Sequence, residues 1–129
     1  MLTCIVVTPE ETALEQKVDF VALPLFDGEI GISAKHSPLI GRLGFGEMRL
    51  RNGDVTARYY VDGGFVQVAD DVVSVLTNRV TPVDQLDEGV VQEQLRSSLA
   101  RPANSPELME IRDRSVNQAR AQLRVVRRK

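Results

Sequence analysis

Residues 27–47 read DGEIGISAKHSPLIGRLGFGE, and the fold turns on how this stretch is understood. It holds five of the chain's nine glycines and its only histidine, His36. Three readings compete: a phosphate-cradling loop, a catalytic site around a lone imidazole, or an exposed surface on β corners, shaped to meet another protein. A phosphate loop places its glycines directly ahead of a helix, so that free N–H groups and the helix dipole converge on the anion. Here Gly41-x-x-Gly44-x-Gly46 runs into EMRLRN, which alternates like a strand, and no Lys-Ser or Lys-Thr pair follows. His36 has Ser33 and Ser37 nearby and acids at Asp27 and Glu29. No Gly-x-Ser-x-Gly elbow and no second histidine support nucleophilic catalysis, and a lone His in a polar turn is most often a turn residue. The third reading remains, in which each glycine permits a turn or bulge within a β-fold.

Working outward, the first 81 residues alternate apolar and polar side chains in short runs broken by Gly, Asn and Asp. Runs at 2–7, 17–23, 47–51, 55–61, 65–69 and 72–77 have period two and are rich in β-branched residues, which predicts strands. Asn52-Gly53 between two of them predicts a tight hairpin centred on that pair. Asp62-Gly63-Gly64 and Asp70-Asp71 mark further turns, and the paired glycines fit a tight corner. Many short strands at this spacing predict an antiparallel β-sandwich.

Beyond Thr81 the pattern changes. Asp84 or Asp87 can cap a helix on which Leu86, Val90, Val91, Leu95 and Leu99 follow helical spacing, until Arg101-Pro102-Ala103-Asn104 breaks it. Ser105-Pro106-Glu107 is a strong helix start: a capping hydroxyl, a Pro where the missing N–H costs nothing, and an acid at the positive dipole end. Leu108, Ile111, Ser115, Ala119, Leu123 and Val126 form a stripe at steps of three and four residues. Two amphipathic helices joined by a short break predict an antiparallel hairpin. The expected organisation is a β-sandwich over residues 1–83 and a helical hairpin over 84–129.

Charge divides near the same place. Residues 1–88 hold 7 basic and 14 acidic side chains, a net of −7, whereas residues 89–129 hold 9 and 4, a net of +5. The whole-chain value of −2 hides this and argues against a nucleic-acid binder as a class. The basic end, Arg124-Val125-Val126-Arg127-Arg128-Lys129, is either a solvated terminus or an arm for an acidic surface. A single cysteine, Cys4, forbids an internal disulfide, and one Cys with one His is too few soft ligands for a structural zinc. Cys4 lies in an apolar strand pattern and is expected to be buried and inert. The acid pairs Glu10-Glu11 and Asp70-Asp71 fall in turns and are expected to be solvated there. The opening run MLTCIVVTPEE lacks a basic n-region and is expected to be neither signal peptide nor anchor, and no segment reaches the roughly 20 apolar residues that cross a bilayer.

Several motifs taken together go further. Asp27-Gly28-Glu29-Ile30-Gly31-Ile32, then His36-Ser37-Pro38-Leu39, resembles the GE(L/I)GI…HAPL signature of the epsilon subunits of bacterial and chloroplast F-type ATP synthases, whose mitochondrial counterpart is called delta. Val6-Val7-Thr8-Pro9-Glu10 is similar to that family's first strand and turn. Gly63-Gly64-Phe65-Val66-Gln67-Val68 followed by Val73-Ser74-Val75-Leu76 resembles its GG(F/I)xxV…VTVL strands. Leu86-Asp87-Glu88 and Ala121-Gln122-Leu123-Arg124-Val125 resemble the opening and ending of its helical part. The resemblance implies a non-catalytic rotor subunit at the foot of the central stalk, with the gamma subunit and the membrane c-ring as partners and no cofactor. It implies that Glu29, Ile30, Gly31, Lys35 and His36 meet the c-ring, and that Arg112, Arg114, Arg120 and Arg124 meet the beta subunit when the hairpin extends to block hydrolysis. Contacts to the alpha and beta subunits would be transient, and the location would be the cytoplasmic face of a bacterial membrane, peripheral through these partners. The chain departs from the (I/L)-D-x-x-R-A nucleotide motif of some relatives, because Val90 and Val91 replace its Arg and Ala, so no ATP site is expected. The alternative is a free-standing β-domain that binds a ligand at His36 or an RNA through its basic tail, for which few aromatics are available to stack bases.

Overall fold

The computed structural model describes residues 1–128. They form two compact units, one from Met1 to Pro82 and one from Val83 onward.

The first unit is built from eight strands, β1 Leu2–Val7, β2 Thr12–Val18, β3 Phe20–Leu25, β4 Gly28–Ser33, β5 Leu39–Asn52, β6 Val55–Ala69, β7 Val72–Leu76 and β8 Val80–Pro82. Their hydrogen-bonded order is β2-β1-β7-β6-β5-β3-β4, with β8 added along β6. Strands β5 and β6 are long enough to run through both layers of the sandwich, and they bend where Gly44 and Gly63 drop out of the paired register. Gly63 and Gly64 have φ of +72° and +106°, and a Cβ on Gly64 would come within 1.8 Å of the Leu76 carbonyl oxygen. The paired glycines therefore bend a continuous strand at a corner, rather than ending one strand and starting another. Alternation puts Leu2, Cys4 and Val6 of β1, Val66 and Val68 of β6 and Val73 and Val75 of β7 into one core, with Val21, Leu23 and Ile32 from the facing layer. Full burial of each such side chain contributes about 1.5–3 kcal/mol.

Four expectations change. The sheet is not wholly antiparallel, since β1 and β7 pair in parallel. Residues 28–33 form β4 rather than a loop, paired along β3 from Leu25↔Gly28 to Phe20↔Ser33. Gly31 in this strand matters for its small size: a Cβ there would lie 2.7 Å from the Phe20 ring, which packs across it. The β5–β6 hairpin is centred one residue later than expected, on Gly53-Asp54, with Asn52 paired to Val55 and positive φ only at Gly53. Gly44 and Gly46 lie inside β5, which extends back to Leu39. The β6–β7 turn does have two central residues in the left-handed region, Asp70 and Asp71, at φ of 52° and 62°.

The second unit begins with a 3₁₀ turn, Val83–Gln85, followed by α1 Glu88–Leu99 and α2 Pro106–Arg127. Asp87 caps α1 by accepting from the Val90 N–H at 3.1 Å, and Ser105 caps α2 by accepting from Leu108 N–H at 3.2 Å. Asp84 lies in the 3₁₀ turn and is not the cap. The helices run antiparallel, tied by Ser98 Oγ to Ser115 Oγ at 2.6 Å near one end and Arg127 Nε to Glu88 Oε1 at 2.6 Å near the other. The apolar stripes are buried over only part of their length. Val91, Val116, Ala119 and Leu123 are buried, whereas Val90, Leu99, Leu108 and Ile111 are exposed. In an antiparallel pair fixed at Ser98–Ser115, the first two turns of the longer α2 extend past the end of α1, which leaves Leu108 and Ile111 without a partner helix.

Candidate functional site: the outer face and ends of the sandwich

Strand β4 separates the residues that were expected to act together. Glu29 follows the β3–β4 turn at one end, and Lys35 and His36 lie in the connection after Ser33 at the other, with about 13 Å of extended strand from Glu29 to Ser33 between them. At the first end Arg49 grips Glu29, with Nη2 2.9 Å from Oε1. Arg49 stands directly across from Arg58 in the β5–β6 register, a like-charge pair that would repel. Glu47, whose side chain is only 2% exposed, resolves this by accepting from Arg49 at 3.2 Å and from Arg58 Nε at 2.8 Å. The Arg49 guanidinium is held above its usual pKa, first by the hydrogen bond to Glu29. Glu29 is thus a carboxylate already engaged by its own sheet.

At the other end Lys35, at φ of 65°, donates its backbone N–H to Asp71 Oδ1 at 2.6 Å, pinning the β4–β5 connection onto the β6–β7 turn. The half-buried His36 ring makes one hydrogen bond, Nδ1–H to the Ser37 carbonyl at 2.7 Å. Neither a serine hydroxyl nor a carboxylate faces this imidazole, so the nucleophile–base geometry is not formed there. Ile30 is half-buried, packed against the core, and Gly31 lies exposed beside Phe20. No group of His, Cys, Asp and Glu suited to a metal occurs among the described residues. Cys4 is fully buried, and burial pushes its thiol up to about 12.

A surface that was not anticipated lies at the Glu29 end. Val7, Leu76, Phe65 and Arg42 stand in one row across β1, β7, β6 and β5. The row continues to Phe26, whose N–H donates to the Arg42 carbonyl at 2.9 Å and whose ring carries the Arg42 guanidinium 4.9 Å from its centroid. The next row places Ile40 beside Gln67, Ser74 and Ile5. Ile40 is 77% exposed, Phe26 69%, Phe65 58% and Leu76 51%, a run of large apolar groups facing water. A groove of about 930 Å³ opens there, lined by Val7, Thr8, Pro9, Arg42, Phe65 and Leu76 among others. Contiguous exposure of this kind marks an interaction surface. Its signal was readable: with Val66, Val68, Val73 and Val75 inward, period two forces Phe65 and Leu76 outward, where a sandwich has no use for them.

On α2, helical geometry sorts the four expected arginines. Arg120 and Arg124 are exposed and one turn apart, on a stripe that Arg127 continues. Arg114 is exposed on a different side of the helix, and Arg112 is half-buried and bonded to Asp113 at 3.2 Å. Val90 is exposed and Val91 buried, and neither offers the polar group the degenerate nucleotide motif would need.

Residues 1–83 match the family model for the β-sandwich domain of the ATP synthase delta/epsilon chain. This chain belongs to the ATP synthase delta/epsilon family. An ATP synthase epsilon chain of Rhodopirellula baltica is 51% identical over 126 residues, covering 98% of each chain. One from Granulibacter bethesdensis is 32% identical, covering 95% of this chain and 94% of its own. Two solved structures share the fold. A chain of the Euglena gracilis mitochondrial ATP synthase OSCP/F1/c-ring structure has a TM-score of 0.83 at 20% identity, covering 93% of this chain and 78% of that one. A chain of the Tetrahymena thermophila mitochondrial ATP synthase central stalk and c-ring has 0.72 at 14%, covering 97% and 96%. The alternative of a free-standing domain for a ligand or RNA finds no support among these relatives. No helix among the described residues is long and apolar enough to cross a membrane.

Proposed function

We propose that this epsilon-family chain is a non-catalytic subunit of the central stalk of a rotary ATP synthase, joining the gamma subunit to the c-ring. The observation that carries the reading is the exposed apolar face of the sandwich, Ile40, Phe65, Leu76 and Phe26, in a chain whose relatives along its whole length are epsilon chains. Such a face is stable in a permanent assembly and is a liability in a free protein. The sandwich unit makes the gamma and c-ring contacts, and the hairpin unit is the regulatory element. Residues 29–31, Lys35 and His36 supply c-ring contacts from both ends of β4, with Glu29 acting as half of an ion pair rather than as a bare charge. Arg120 and Arg124, which share a stripe, are favoured over Arg112 and Arg114 for transient contact with the beta subunit. The chain holds no membrane segment of its own in this reading and sits at the cytoplasmic face through its partners, with neither cofactor nor nucleic acid. A tagged chain recovered from detergent-solubilised native membranes is expected to bring down the alpha, beta, gamma and c subunits. Recovery without any of them would count decisively against the assignment.

A further inference from the structure

The groove beside the Gly63-Gly64 corner has a composition that says what enters it. Its apolar walls are Val7, Pro9, Phe65 and Leu76, its polar rim is Thr8, Thr77 and Asn78, and its one charged residue is Arg42. The backbone here has little left to offer: the Thr77 N–H already donates to the Val7 carbonyl at 3.0 Å, and Phe26 N–H to Arg42 at 2.9 Å. Recognition must therefore come through side chains rather than by adding a strand. A volume of about 930 Å³ is more than one side chain fills, and the apolar face continues beyond the groove to Ile40, so the fitting partner is a protein surface rather than a small molecule.

Arg42 narrows the choice. Arg49 and Arg58 are each neutralised by Glu47, and Arg49 also by Glu29. Arg42 lies over the Phe26 ring and has no carboxylate partner among the described residues. Residues 1–88 carry a net charge of −7, so an unpaired guanidinium on an apolar rim is not background charge. The Phe26 ring holds the guanidinium in place at the groove's rim, and its planar fork matches a carboxylate.

We propose that this groove seats a segment of a stalk partner that presents one large apolar side chain next to an Asp or Glu, with the apolar group between Phe65 and Leu76 and the carboxylate on Arg42. The proposal rests on the stalk-subunit reading and names what the partner must offer. Aromatic and Arg anchors at the centre of a buried apolar patch are the groups that dominate interface energies.

The test is titration of the purified chain against the catalytic-plus-gamma core of the same organism's ATP synthase, lacking this subunit, followed by calorimetry or biolayer interferometry. Arg42→Glu and Phe65→Asp are each expected to weaken binding at least tenfold. Arg42→Lys keeps the charge but loses the fork and the stack on Phe26, so its affinity should fall between those of the parent and Arg42→Glu, and Arg42→Ala should flatten the salt dependence. Val55→Ser, at an exposed position on the hairpin outside the groove, should bind like the parent. Thermal melting of each variant within a few degrees of the parent establishes that the fold is intact. Parent-like affinity of folded Arg42→Glu and Phe65→Asp overturns the groove assignment while leaving the stalk reading in place. Failure of the parent chain itself to bind the core overturns both.

Discussion

Two glycines show how differently one residue type can be constrained. Gly53 and Gly64 both have positive φ, but a Cβ on Gly53 meets nothing within 4 Å, whereas one on Gly64 meets the Leu76 carbonyl. Gly53→Ala is expected to cost about 1–2 kcal/mol, the backbone penalty alone. Gly64→Ala adds a clash with backbone that cannot rotate away, and about 3 kcal/mol or more is expected. Urea denaturation of the two variants measures the difference, and equal losses would contradict the corner geometry. Cys4 is a second residue-scale case. Burial raises its thiol pKa to about 12, so the folded state keeps the proton where the unfolded chain releases it. Its contribution to stability is therefore complete below about pH 9 and falls by about 1.4 kcal/mol per unit above that, until the folded-state pKa is reached. Cys4→Ala should remove this part of the alkaline slope in denaturation midpoints measured between pH 8 and 10.5, and an unchanged slope would contradict it.

Among the elements, the strand pair β5–β6 stores an ion network on one sheet face. Glu47 is buried between Arg49 and Arg58, which are each about one-third exposed. Glu47→Gln leaves two cations facing each other, and part of the loss is recovered because both can hydrate. A destabilisation of about 1–3 kcal/mol is expected. Glu29→Gln, at a half-exposed carboxylate in the same network, should cost less than about 1 kcal/mol. Chemical denaturation separates the two, and a larger loss at Glu29 would show that the network is anchored from the edge. Elements were legible where a local rule governs them. Ser105-Pro106-Glu107 announced α2, and alternation announced β1 and β7, because caps and period two depend on neighbours in the chain. β4 was missed because Gly28-Glu29-Ile30-Gly31 looks like loop composition, and only the Phe20 ring across Gly31 explains a glycine in an extended strand. β6 was divided in two because the corner at Gly63-Gly64 is a tertiary bend that imitates a turn. The register that the hairpin pair suggested would set Glu47 across from Arg58, whereas the observed register is two residues further along β6 and sets Glu47 across from Tyr60 and Arg49 across from Arg58.

Over the whole molecule, the acidic sandwich and the basic helical segment read as two units from the change of periodicity beyond Thr81, with charge dividing close by, and the family was legible from motifs spread along the chain. The groove was not, although the outward positions of Phe65 and Leu76 were implicit in the alternation. The candidate c-ring residues come from the family resemblance, which says nothing of their spacing, and the extended strand β4 sets Glu29 near one of its ends and Lys35 and His36 beyond the other. If the hairpin unit is regulatory, reconstituted complexes carrying a chain without residues 88–129 should hydrolyse ATP faster than those with the full chain, and equal rates would remove that role. The central claim, a mechanical joint between ring and stalk, is tested most directly by ATP-driven ion pumping in membranes stripped of this subunit. Adding back the purified chain is expected to restore ion transport per ATP hydrolysed. Pumping that is the same with and without the chain would contradict the account.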